Sequence, residues 1–188
     1  MTTGVPLRED WVDAVDAFWF GELGRSDWFA KSDEMDSRIR GRFLGLHEAV
    51  AADVPDIAFT NPRAALAAVI LTDQMPRNMF RGTPRAFATD ALALDLARRA
   101  IAAGHDNGLS IDERLFLCLP FEHSEDLADQ ERAVALISAL GDAEYTRFAI
   151  GHRDIIARFG RFPHRNEVLG RATSREEAAF LQTPGSSF

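Results

Sequence analysis

One cysteine and one lysine are all that this 188-residue chain contains of either residue. The lone Cys118 excludes an intramolecular disulfide and fits a reducing compartment. No apolar run approaches the roughly 20 residues needed to cross a bilayer. The opening "MTTGVPLRED" lacks the basic stretch and apolar core of a secretory leader. A cytoplasmic protein with no membrane partner is therefore expected. Alternating β-branched residues are missing, which removes a sheet from consideration. An excess of positive charge is missing too: the formal net charge is -8. That argues against nucleic acid as a partner, since its binding relies on cationic surface to displace counterions. Linker-like tracts are absent, so a single helical domain over residues 1–188, with short loose ends, is expected. The scarcity of lysine has a second meaning, because nearly every basic residue is then arginine. Codon usage in a GC-rich genome produces the same bias, so an individual arginine is a weaker sign of selection than usual.

What is present is helical periodicity along most of the chain. Trp11, Val15, Phe18 and Trp19 fall on one stripe that Gly21 can stop. Ser32 caps a run in which Met35, Ile39, Phe43, Leu46 and Val50 recur at helical spacing. Asn61-Pro62 opens an Ala/Leu/Ile helix that Pro76 is expected to end, because proline supplies no amide and disfavours helix before it. Thr83-Pro84 gives the same start signal for a helix running to Gly104. Ser110 and Glu113 read as a capping box for a helix halted by Pro120. Ser124 starts the next, which Gly141 terminates. A stripe through Tyr145, Phe148, His152, Ile155, Ile156 and Phe159 closes at Gly160. Ser174 and Glu177 read as a second capping box. The class is all-α, with about eight helices joined mostly by short loops, so antiparallel helical hairpins are the expected building unit.

Three segments carry the polar residues of interest. In "TDQMPRNMFRGTPRAF", Arg77, Asn78, Arg81 and Arg85 surround two prolines, with one carboxylate in sixteen residues. Guanidinium groups beside a free helix N-terminus suit a carboxylate or phosphate. The competing reading is a clasp in which these arginines bond helix-end carbonyls and nearby acids. In "LPFEHSEDLADQE", most acids suit a helix start, while Glu122 and His123 are candidates for general acid–base work. A metal-dependent version would recruit His123, Asp126 and His164. In "GHRDIIARFGRFPHRN", His152 lies on the apolar stripe and reads as a buried, hydrogen-bonded histidine. Gly151 beside it suggests the close approach of another helix. Arg161, His164 and Arg165 sit in the loop that follows, where binding residues concentrate. Either the acids neutralise these arginines internally, or the arginines converge on a hollow open to an outside anion.

The segments "FWFGE", "TDQMPRNMFRGTPRAFATD", "LPFEHSEDLADQ" and "RFGRFPHRNEVLGR", in this order, resemble the bacterial family catalogued as domain of unknown function 924. The resemblance runs from about Phe18 to the C-terminus. Met75 and Cys118 stand where that family favours an aromatic residue. It implies stacked antiparallel helical hairpins in a superhelix similar to tetratricopeptide-repeat proteins. It implies no catalytic residues, because the family has no established activity. Its motif positions fall on Arg77, Asn78, Arg81, Arg85, Glu122, His123, His164 and Arg165.

The leading expectation is a binding protein that takes a small anion or an acidic peptide. Arg77, Arg81, Arg161 and Arg165 would be the contacts, with His123 and His164 setting orientation. The alternatives are an enzyme using Glu122, His123 or His164 on an anionic substrate, and a scaffold that binds only protein. No nucleophile, metal or phosphate-loop motif is present, so no cofactor is implied. The scaffold reading predicts an exposed apolar patch, and burial of Trp11, Trp19 and Trp28 would count against it.

Overall fold

The computed structural model describes residues 9–186. Every regular element among them is helical: α1 (Trp11–Asp16), α2 (Arg25–Trp28), α3 (Asp33–Ala52), α4 (Pro62–Val69), α5 (Met75–Met79), α6 (Asp90–Ala102), α7 (Ile111–Glu122), α8 (Leu127–Ser138), α9 (Ala143–Phe159) and α10 (Arg175–Phe180), with short 3₁₀ and π turns between some of them. The chain divides into two compact units. Among the described residues, one holds residues 9–81 together with Arg85–Pro120, and the other holds Gly82–Pro84 with residues 121–186.

Local chemistry sets most boundaries. Ser32 Oγ accepts from the Met35 amide, and Asn61 Oδ1 accepts from Arg63 and Ala64 with Pro62 in the first helical position. The Ser110–Glu113 and Ser174–Glu177 capping boxes both form. Gly160 closes α9 at φ +67°, a conformation that glycine adopts without steric cost.

Four expected boundaries are corrected. Asp126, not Ser124, caps α8, because its carboxylate reaches two free amides, Ala128 and Asp129. Thr83-Pro84 starts only the 3₁₀ turn Pro84–Phe87, and α6 begins at Asp90. Pro120 lies inside α7, near its end, where little of the ladder is lost. Pro76 does not end its helix either. The chain passes from α4 through a π turn, Ile70–Gln74, into α5.

That passage has a physical cost that the fold meets with side chains. Proline has no N–H, so the carbonyls at positions 71 and 72 lose their π- or α-register donor. His47 Nδ1 lies 2.9 Å from the Leu71 oxygen, and Thr89 Oγ1 donates to the Thr72 oxygen at 2.5 Å. Residues 64–76 are buried without a break, so water cannot substitute. Burial holds His47 below the usual imidazole range, opposed by the Leu71 bond, and the neutral ring suffices as donor. His47→Leu keeps the volume and removes the donor. It is expected to lower stability by about 1–3 kcal/mol in urea titration, the cost of an unpaired buried carbonyl.

In the first unit α3 packs on α5, and α4 packs on α6 and α1. Trp11, Trp19 and Trp28 are buried, which goes against the scaffold reading. Trp19, Phe20, Trp28 and Phe29 surround the buried Phe116 ring at 4.9–6.2 Å. In the second unit α8 packs on α9, and Ile155, Ile156 and Phe162 form a small core with Phe159 and Phe180 against it. Gly151 is not a point of close approach: a Cβ placed there would meet nothing within 4 Å.

Candidate functional site

The basic residues around Pro76 and Pro84 are tied down by acids both near and far in sequence. Arg77 reaches Asp90 through two bonds, 2.9 and 3.0 Å, and also faces Asp73, whose side chain is 0% exposed. Asp36 of α3 accepts from Asn78 at 2.9 Å and from both ends of the Arg81 guanidinium at 2.6 and 2.8 Å. Arg40 donates to the Met79 carbonyl oxygen. Arg85 pairs with Glu48 at 3.2 Å and covers the Phe80 ring at 4.0 Å. Burial alone would lower the Arg77 pKa, but Asp73 and Asp90 hold it above the usual guanidinium value. These contacts match the clasp rather than an open anion hollow.

The loop after α9 is tied in the same manner. Arg161 makes a two-point bond to Glu177, 2.6 and 2.9 Å, and donates to the Ala172 oxygen. Arg171 makes a two-point bond to Glu125, whose carboxylate also accepts from the Phe162 amide at 2.8 Å. Arg158 pairs with Glu176.

Burial raises the carboxyl pKa of Asp36 and Glu125, but each is held below the usual range: Asp36 by Arg81 and Asn78, Glu125 by Arg171 and the Phe162 amide. The Arg161 hydrogen bond and the Ser174 amide hold Glu177 lower still. In the unfolded chain these acids take up protons near pH 4. In the folded chain they do so only at lower pH, so the unfolded state binds more protons in between. Their contribution is therefore full above about pH 5 and is lost progressively as pH falls below about 4. Urea midpoints are expected to be unaffected by these groups above about pH 5 and to fall as pH is lowered from there through the acid range.

A different arrangement surrounds Phe162 in the second unit. Phe162 is fully buried. Its ring centre lies 5.6 Å from that of His152 and 5.5 Å from that of His164, and the Arg165 guanidinium sits over it at 4.6 Å. His123 stands 6.4 Å from His152, ring to ring. Glu122 enters from the end of α7: its Oε1 lies 2.9 Å from His152 Nδ1, with the two side chains 5% and 8% exposed. The same Nδ1 lies 2.9 Å from the Phe148 carbonyl oxygen, one turn back on α9. Gln130, wholly buried, donates its amide to the Glu122 and Ser124 carbonyls and leaves its own Oε1 without a hydrogen-bond donor.

Four sequence candidates, Glu122, His123, His164 and Arg165, thus belong to one cluster, while Arg77, Asn78, Arg81 and Arg85 belong to the first unit. His152 was legible as a buried, hydrogen-bonded histidine, but its partner Glu122, thirty residues away, was not. Gln130 carried no sequence signal. Asp126 serves as the α8 cap. Among the described residues no group of three His, Cys, Asp or Glu side chains is placed to hold a metal ion.

No functionally curated protein is similar enough to this chain to be matched. A solved structure of a protein of unknown function from Agrobacterium tumefaciens is 43% identical, with a TM-score of 0.87 over 91% of this chain and 96% of that one. Residues 15–185 match the model of a family described as bacterial protein of unknown function, DUF924. With that match spanning nearly all of the helical chain, and the solved relative sharing its fold, the protein belongs to this bacterial family.

Proposed function

We propose that the protein binds a small oxyanion, a phosphate or carboxylate, at the His123–His164–Arg165 side of the Phe162 cluster. One observation carries this reading: two imidazoles, His152 and His164, and the Arg165 guanidinium gather about a single buried ring, with His123 against His152 and Glu122 fixing His152. Phe162 holds Arg165 over its π face, which fixes the plane of the guanidinium beside the imidazoles. Arg77, Arg81 and Arg161 are reassigned from ligand contacts to clasp residues. A ligand bound only by the folded state raises stability by about 2.7 kcal/mol at a hundred times its Kd. Titrating inorganic phosphate, sulfate and a short dicarboxylate is therefore expected to raise Tm, and Arg165→Gln and His164→Gln to abolish the rise. A flat response to all three anions would end the proposal, as would an unchanged response in both variants.

A second reading, acid–base chemistry on an anionic substrate, draws on the Glu122–His152 contact. A carboxylate on Nδ1 fixes ring orientation and assigns proton transfer to Nε2. Hydrolysis of p-nitrophenyl phosphate or acetate that collapses in Glu122→Gln, at unchanged anion binding, would favour it.

A further inference from the structure

We propose that the outer face of α9 carries a second site, which takes a small hydrophobic carboxylate. Positions 148, 151, 155, 158 and 159 recur at helical spacing along one face of α9, next to the position of His152. A hollow of about 330 Å³ lies along them, bounded across the gap by Phe180 and Gly185. That volume is at the lower end of small-molecule pockets. Phe148, Ile155, Phe159 and Phe180 make its walls apolar, and Phe148 is 43% exposed, an unusual fate for a large side chain on the apolar stripe.

Gly151 lines the hollow. A glycine in the middle of a 17-residue helix weakens it, and nothing in the fold requires one here, since an added Cβ would meet no atom within 4 Å. What the missing side chain does is keep the hollow open.

The rim selects charge. Two arginines line the hollow against one carboxylate, Asp154. Each guanidinium already lies against the aromatic wall, Arg147 over Phe148 at 5.1 Å and Arg158 over Phe159 at 4.7 Å. Their present partners are exposed: Glu144 stands 3.5 Å from Arg147, and Glu176 is 2.8 Å from Arg158. Exposed pairs of this kind contribute little and exchange readily. A ligand with a short apolar body and a terminal carboxylate would place the body over Gly151 and the charge between Arg147 and Arg158.

Sodium octanoate is the probe, followed through backbone amide shifts of the ¹⁵N-labelled full chain. Saturable movement of Gly151 and Gly185 is expected, with none from octylammonium at equal concentration. Gly151→Leu supplies a better helix former with room at Cβ and fills the hollow, so it should fold and weaken octanoate binding at least about tenfold. The exposed Arg158→Gln should weaken it roughly threefold to tenfold with the helix intact. A short peptide ending in phenylalanine forms a further arm, and binding of that peptide without octanoate overturns the small-molecule assignment. So would equal movement with octylammonium, or undiminished octanoate binding in Gly151→Leu. The anion response at the Phe162 cluster is read separately, through His164 and Arg165.

Discussion

Arg77→Met is expected to destabilise the protein by about 3–5 kcal/mol, the range for breaking a buried ion pair by removing one partner. Methionine retains the apolar stem, so the loss reports charge rather than packing. Asp73, with a fully buried side chain, and Asp90 would then both lose the guanidinium they share. One of the two carboxylates would have to take up a proton or bury its charge uncompensated. Adding Asp90→Asn to Arg77→Met should recover part of the loss, because residues sharing one polar network do not contribute independently. Urea denaturation of the single and double variants measures both. A ligand-contact arginine behaves otherwise: its removal leaves stability unchanged or improved, since binding residues are commonly held at a cost to the fold. A loss below about 1 kcal/mol would return Arg77 to the list of ligand contacts, because surface substitutions away from buried networks fall in that range.

Phe116→Ala is the second large effect, about 3–5 kcal/mol for an aromatic cavity in a packed core. The ring is wholly buried and meets Trp28 edge-on at 4.9 Å and Trp19 at 5.5 Å. Both indoles should therefore report the change directly, through a red-shifted emission and weakened near-ultraviolet dichroism. All three tryptophans of the chain belong to the first unit, so an unfolding curve followed by fluorescence describes that unit. Far-ultraviolet dichroism follows the helices of both. Divergence of the two curves in Phe116→Ala would mark loss of the first unit ahead of the second. Coincident curves and a small shift would show that neighbouring side chains collapse into the space.

The all-α class and most helix ends were legible in the sequence because their causes are local. A Ser32 hydroxyl, an Asn61 amide or a Ser174–Glu177 box acts on amides two or three residues away, and a stripe such as Trp11–Val15–Phe18–Trp19 is a property of one continuous helical run, α1 and the π turn Ala17–Glu22 that follows it. Pro76 defeated the same logic. Its local effect is to stop a helix, yet donors on α3 and just ahead of α6 meet the stranded carbonyls, and the π turn absorbs the change of register.

Charge pairing was least legible of all. Asp36 is paired across 42 to 45 positions, and Glu125 across 46. Nothing in the local pattern of either acid distinguishes a clasp from a solvated face, because an ion pair depends on where two side chains meet. By itself the chain determined which residues turn into helix and which stripe is apolar, since both follow from propensity and period. The tertiary structure alone decided which arginines are quenched, that Glu122 meets His152, and that Gly151 lines a hollow bounded by Phe180, since each is a distance between elements remote along the chain.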